Sequence, residues 1–286
     1  ETNTFRSNRL TLADYNLQDH VLELNEKAAS LARQAANEFF TPEKPRFVAG
    51  SMGPSGKLIS TDDPEMSDIS FDELTDIFRE QAVGLIRGGV DLLLIETSND
   101  ILEVKAAING IRQAFTEEQR WLPIQAQVTL DVNGKMLLGT DISAVTTILE
   151  GMGVDVIGLN CSTGPEHMRE SIQYLTSHST LPISCIPNAG LPLNVDGEAI
   201  YPMLPDEFSQ QLSDYVQTFG VRIVGGCCGS EPEHIAALAE KVRMVNRKQP
   251  EVESEAMLSS AVQAVQIKQS PPPFIIGERM NAQGSK

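Results

Sequence analysis

The chain is short of cysteine, of positive charge and of long apolar runs, and each shortage closes off a class of protein. Four cysteines in 286 residues are too few for a disulfide scaffold, whose small domains are dense in bridges. Two of the four, Cys227 and Cys228, are adjacent, a spacing at which a bridge between them is strained. The thiols therefore suit a reducing, cytoplasmic setting and a metal-binding or catalytic role. Lysine and arginine number 22 against 39 aspartates and glutamates, a net charge of −17. An acidic surface repels phosphate backbones, and no basic or aromatic-interleaved stretch offsets it, so no nucleic-acid partner is expected. No apolar run reaches the length of a bilayer span and no basic-then-apolar segment opens the chain, so no membrane association is expected. Histidine is scarce as well. His20, His167, His178 and His234 include no pair at the helical spacing of a metal site, and no dinucleotide fingerprint, phosphate-binding loop or internal repeat occurs.

What is present is a regular alternation. Apolar, β-branched runs at Phe47–Met52, Leu92–Thr97, Ile124–Leu130, Val156–Cys161, Ile183–Pro187 and Ile223–Gly226 predict strands, and between them lie segments with apolar residues at three- and four-residue spacing. Ser70-x-x-Glu73 and Ser230-x-x-Glu233 predict capping boxes at the start of two of these helices. Nearly continuous apolar strands joined by helices imply a parallel sheet covered on both faces, either doubly wound or closed. The strand ends favour the closed form. Gly-Ser-Met-Gly, Glu-Thr-Ser-Asn, Asn-Cys-Ser, Pro-Asn-Ala-Gly and Gly-Gly-Cys-Cys-Gly each follow a strand, and polar groups gathered at C-terminal strand ends are the habit of the α/β (β/α)8 TIM barrel.

Glu1–Thr4 reads as the tail of one further strand, so residues 1–245 are expected to form a barrel lacking about its first one and a half strands. Residues 246–273, with Arg-Lys-Gln-Pro, an acidic patch and Gln-Ser-Pro-Pro-Pro, read as an interdomain linker, stiff along the proline run. Phe274–Lys286 then resumes with a strand and a polar loop, the start of a second domain.

Cys161, Cys227 and Cys228 carry the chemistry. Each sits at the C-terminal end of a predicted strand, and in a barrel those ends converge on one mouth. Three protein ligands and one open position is the pattern of a catalytic zinc site, whereas closed four-ligand sites are structural. Gly225, Gly226 and Gly229 let the backbone turn tightly beside the cysteine pair. His234, one turn into the helix after Cys228, would close the open position if it ligated. Cys185 lies inside a strand among apolar neighbours and reads as core.

Asn-Cys-Ser at 160–162 and Gly-Gly-Cys-Cys-Gly at 225–229 resemble the homocysteine S-methyltransferase family. The resemblance runs from Glu1 to about Val245. It takes in Glu-Thr-Asn at the end of the family's second strand, Gly-Ser-Met-Gly-Pro after the third and Ile-Glu-Thr after the fourth. The family's Asp-Gly-rich motif at the end of strand 1 has no counterpart in this sequence.

The resemblance implies zinc held by Cys161, Cys227 and Cys228, with the thiol of L-homocysteine as fourth ligand and methionine as product. It places Asn188 near the zinc, although a turn asparagine before Gly190 reads almost as well. Glu96 is placed to take the substrate ammonium, or else to form a structural ion pair. Backbone N–H groups of Gly50, Ser51 and Met52 are candidates for the substrate carboxylate, in the manner of an anion nest. Phe274–Lys286 resembles the first strand of the methyltetrahydrofolate-binding barrel of cobalamin-dependent methionine synthases. That implies methylcobalamin as donor, bound by a module outside this chain and regenerated by methyltetrahydrofolate. Donors such as betaine or S-methylmethionine, and a non-catalytic zinc or thiol-binding module, are the alternatives.

Overall fold

Six parallel strands, laid side by side in the order in which they occur along the chain, form the core sheet of the computed structural model, which describes residues 1–59, 67–253, 255–268 and 270–273. The expected strand at 274–286 lies outside the described residues. A short helix α1 (Arg9–Ala13) and a long helix α2 (Val21–Glu38) precede β1 (Ala49–Met52). Strand and helix then alternate through α3 (Phe71–Arg87), β2 (Leu92–Ser98), α4 (Ile101–Glu118), β3 (Ile124–Val128), α5 (Ile142–Gly151), β4 (Val156–Asn160), α6 (Pro165–His178) and β5 (Ile183–Ile186). A hairpin of β6 (Leu193–Val195) and β7 (Glu198–Ile200) intervenes before α7 (Pro205–Thr218), β8 (Ile223–Val224) and α8 (Pro232–Met244). Among the described residues no helix is long and apolar enough to cross a membrane.

The chain's first residues run beside β1 but add no strand to the sheet, where the tail of a further strand was expected. Thr2 N–H donates to the Ala49 carbonyl at 2.9 Å, and Thr4 Oγ1 donates to the Ser51 carbonyl at 2.7 Å. The two faces of the sheet differ in chemistry. A Cβ on Gly50 would meet Leu85 of α3 and Leu93, so Gly50 faces the helices and Ser51, next along, faces the inside. By the same alternation Leu93, Ile95, Ala126, Val128, Ile157, Leu159 and Cys185 face the helix layer, and all are buried in one apolar cluster. Glu96, Gln125, Gln127, Gly158, Asn160 and Ser184 face inward. Gln127 Nε2 of β3 donates to Ser184 Oγ of β5 at 2.8 Å, reaching across Gly158 of the intervening β4, so polar groups of the inner face bond one another across the interior.

The predicted capping box at Ser70 is present, with Ser70 Oγ and Glu73 exchanging hydrogen bonds across the first turn of α3. The second capping box falls one residue later than expected. Pro232 takes the first helical position, where its missing N–H costs nothing, so Glu231 is the cap and His234, not Glu233, closes the box. Two hairpins were not foreseen. Asp196-Gly197 joins β6 to β7 with both residues at positive φ (55° and 89°), the conformation of a type I′ turn.

Inside the segment read as linker, β9 (Met257–Ser259) and β10 (Ala264–Gln266) pair antiparallel and pack on α5. Thr140 Oγ1 donates to the Ala261 carbonyl at 2.6 Å, and Asp141 N–H to the Val262 carbonyl at 2.9 Å. Hydrogen bonds from the barrel to this stretch, rather than its own apolar pattern, hold it in place.

Candidate metal centre

The strand β4 delivers Cys161 and β8 delivers Cys227 and Cys228, and the three sulfurs lie within 4.8 Å of one another. The strand ends at Asn160 because Cys161 and Ser162 both adopt left-handed backbone conformations, φ 61° and 65°, which no strand continues. Cys161 N–H donates to the Ile186 carbonyl at 3.1 Å and Cys227 N–H to the Pro187 carbonyl at 2.8 Å, so both thiol loops hang on the end of β5. Gly229 is required beside them. Its φ is +74°, and a Cβ there would stand 2.2 Å from the Tyr201 ring.

The donor set fits zinc. Zn–S bonds of about 2.3 Å in a tetrahedron place sulfurs roughly 3.8 Å apart, and Cys161 Sγ stands 3.8 Å from Cys228 Sγ. As free thiols the three share protons unevenly. A hydrogen bond from Cys227, aided by the Ser162 N–H, Cys228 and Asn188, brings Cys161 down to about 6 against the opposing effect of burial. Cys227 is pushed well above the ordinary thiol range by its hydrogen bond to Cys161 and by burial, and Cys228 is raised by burial and by the Cys161 charge. One thiolate beside two thiols is a site primed for a cation, whose charge removes the remaining protons. Cys185 is apart from this group. It is fully buried on the helix side, 3.9 Å from the Met168 sulfur.

Three neighbours orient the sulfurs. Asn188 is buried, its Oδ1 accepts from Cys228 N–H at 3.1 Å, and its side chain favours the charged form of Cys161. Asn160 Nδ2 lies 3.9 Å from Cys227 Sγ. The Tyr201 ring lies on Gly229, next to Cys228, and its hydroxyl favours the charged form of the Cys228 sulfur. Nothing in the sequence marked Tyr201, because it reaches the centre only through the hairpin fold-back.

Tyr201→Phe is expected to leave metal binding intact while making the Cys228 sulfur more electron-rich. In cobalt-substituted protein the sulfur-to-metal charge-transfer band should move to lower energy, and an unmoved band would exclude the Tyr201 hydroxyl as a tuning element. His234 is not a ligand candidate. Its Nδ1 accepts from Glu231 N–H at 3.2 Å and its Nε2 is 2.9 Å from the Met203 carbonyl, so both ring nitrogens are committed.

Glu96, near the end of β2, is buried and accepts a hydrogen bond from Ser51 Oγ. Burial, then the charge of Glu1, raise its carboxyl to about 8, with a hydrogen bond to Glu1 and the charge of Cys161 adding, while Ser51 lowers it. A buried carboxyl whose charged form is disfavoured by burial and by nearby negative charge is one that an ammonium would stabilise. Gly50, Ser51 and Met52 lie within β1, inside the expected strand and paired with β2, and their amides do not form the anion nest; the Ser51 N–H donates to Thr2 Oγ1 at 2.9 Å and the Gly53 N–H, two residues on, to the Phe5 carbonyl. Ser51 reaches the site through its hydroxyl, whereas Gly50 faces the helices and Met52 is fully buried.

A parallel sheet whose strand ends gather three thiols and a buried carboxyl defines a thiol-centred α/β enzyme site. The chain belongs to the homocysteine S-methyltransferase family, whose model matches residues 1–242. It is 42% identical over 286 residues to the methionine synthase of Mycobacterium tuberculosis (strain ATCC 25618 / H37Rv) and 41% identical over 291 residues to that of Mycobacterium leprae (strain TN). In each case the match takes in all of this chain but only 24% of the relative. Among solved structures it resembles the metallated form of the homocysteine methyltransferase MmuM from Escherichia coli, at TM-score 0.65 and 26% identity. The oxidized form of the same enzyme matches at TM-score 0.63 and 25% identity, and both matches cover 84% of this chain and 78% of the other. The sheet is thus part of an incomplete (β/α)8 barrel, and the chain is of a methyltransferase family.

Proposed function

We propose that this barrel transfers a methyl group to the thiol of L-homocysteine, giving methionine, with zinc held by Cys161, Cys227 and Cys228. The observation that carries the reading is the triangle of sulfurs at the strand ends of a homocysteine S-methyltransferase. Bound zinc supplies a coordination site at which an alkyl thiol, otherwise mostly protonated at neutral pH with a pKa near 8.5, is held as a nucleophilic thiolate. The residues do the rest. Asn188 holds the Cys228 backbone by a hydrogen bond, Tyr201 stands beside the Cys228 sulfur, and Glu96, steadied by Ser51, takes the substrate ammonium. The substrate sulfur then forms its bond to the methyl carbon as the bond from methyl to donor breaks.

The donor in this reading is methylcobalamin, regenerated by 5-methyltetrahydrofolate through further modules of a longer cytoplasmic protein. Its support is the resemblance of Phe274–Lys286 to the start of a methyltetrahydrofolate-binding barrel, following residues 1–245 and a connecting segment at 246–273. Zinc content and X-ray absorption at the zinc edge test the central claim in the full-length protein. One zinc with three sulfurs, becoming four on addition of L-homocysteine, is the expected result. A zinc shell that homocysteine leaves unchanged would point instead to a non-catalytic metal module.

A further inference from the structure

One side chain ties the carboxyl seat to the sulfur triangle. Asn160, the last residue of β4, is fully buried and grips Thr97 at two points. Its Oδ1 accepts from Thr97 N–H at 2.7 Å, and its Nδ2 donates to Thr97 Oγ1 at 2.7 Å. That same Nδ2 stands 3.9 Å from Cys227 Sγ. Asn160 is in turn held from the other side, since Thr129 Oγ1 donates to its carbonyl at 2.9 Å.

Thr97 needs such a grip. Its φ is +58°, a left-handed conformation that is a genuine outlier for a β-branched residue and persists only where the surroundings over-determine it. The kink coincides with the slip in register of β2 against β3 between Ile95 and Ser98. Glu96 sits at that slip, immediately before the kink. Released, Thr97 would relax toward the extended region and carry the Glu96 carboxyl with it, because side-chain direction along a strand follows the backbone.

We propose that Asn160 is the positioning residue that sets the span between the ammonium seat and the sulfur site, and thereby selects homocysteine over cysteine, which is one methylene shorter. The inference rests on the reading of Glu96 as the ammonium seat. A ligand held at both ends measures the distance between its holders. A chain one methylene short must give up either the metal or the carboxyl, and a buried carboxyl left without its partner is the costlier state.

The test compares wild type, Asn160→Ala, Thr97→Val and Asn160→Ala/Thr97→Gly in the full-length, zinc-loaded protein. Zinc content, KM, kcat and the homocysteine-to-cysteine ratio of kcat/KM are measured for each. Asn160→Ala is expected to keep its zinc, to raise KM for homocysteine about tenfold with a smaller fall in kcat, and to lose about tenfold in selectivity. Thr97→Val, which keeps the branching but loses the Oγ1 bond, should move in the same direction by less, and does so even if Asn160→Ala fails to fold. Glycine at 97 takes the left-handed conformation without penalty, so the double variant should recover part of the selectivity lost by Asn160→Ala. Selectivity unchanged in Asn160→Ala and Thr97→Val, or a double variant no better than the single, overturns this inference alone. A wild type that homocysteine does not saturate overturns the functional reading and the inference together.

Discussion

Cys227→Ala is expected to weaken zinc binding by about a thousandfold and to leave the barrel folded. Structural zinc sites bind with roughly 10–16 kcal/mol spread over four ligands. Each thiolate therefore contributes on the order of 2.5–4 kcal/mol, which corresponds to roughly two to three decades of affinity. The fold should survive because the loop is held by its backbone. Cys227 N–H bonds the Pro187 carbonyl and Ala189 N–H bonds the Cys228 carbonyl, and alanine keeps both. The Cys227 side chain is only half-buried, so little core is lost. Chelator competition on the purified variant measures the affinity, and calorimetry against metal-free wild type measures the fold. A variant that keeps one zinc per chain at wild-type affinity would remove Cys227 from the ligand set.

Glu96→Gln is the complementary case, expected to spare the metal and damage substrate binding. Removing one partner of a buried, hydrogen-bonded charge pair costs about 2–5 kcal/mol. Homocysteine affinity should therefore fall on the order of a hundredfold. A thiol of the same length without an amino group should bind wild type and variant alike, and zinc content should not change. Equal loss for both thiols would mean that Glu96 shapes the site rather than holding an ammonium.

The same carboxyl carries a pH signature in the ligand-free protein. Its pKa is raised from 4.5 to about 8, so the native state holds a proton that the unfolded state has released. Its contribution to stability is fully present below about 4.5 and is lost as pH rises through about 8. Glutamine cannot titrate, so the melting temperature of Glu96→Gln should gain on wild type across that window. A constant difference between the two from pH 4.5 to pH 8 would refute the raised pKa.

Several features of the site were open to sequence reasoning because they are local. A thiol that follows an apolar, β-branched run is at a strand end wherever the sheet goes, which is why Cys161, Cys227 and Cys228 could be singled out. Cys185 could be separated from them by its apolar neighbours alone. Glu96 could be picked out in the same way, from its place near a strand end. Misreadings arose where a local motif met a competing constraint. Ser230-x-x-Glu233 has the pattern of a capping box, but the proline at 232 fixes the helix start and moves the cap to Glu231. Gly50–Met52 ends the strand expected at Phe47–Met52, but its amides are not free for the anion nest read there, because β2 and the chain's first residues lie against it.

By itself the sequence determined the alternation of strand and helix, the parallel sheet and the residues able to bind a metal, since hydrophobic period and residue chemistry are properties of short windows. Only the tertiary structure decided how far apart those residues stand and what holds them. The sulfur spacing, the pairing of Glu96 with Ser51 and Glu1, the Tyr201 contact and the Asn160 grip on Thr97 all join segments distant in the chain. Their geometry depends on the register and twist of strands packed side by side, and neither of these is written in any one window of residues.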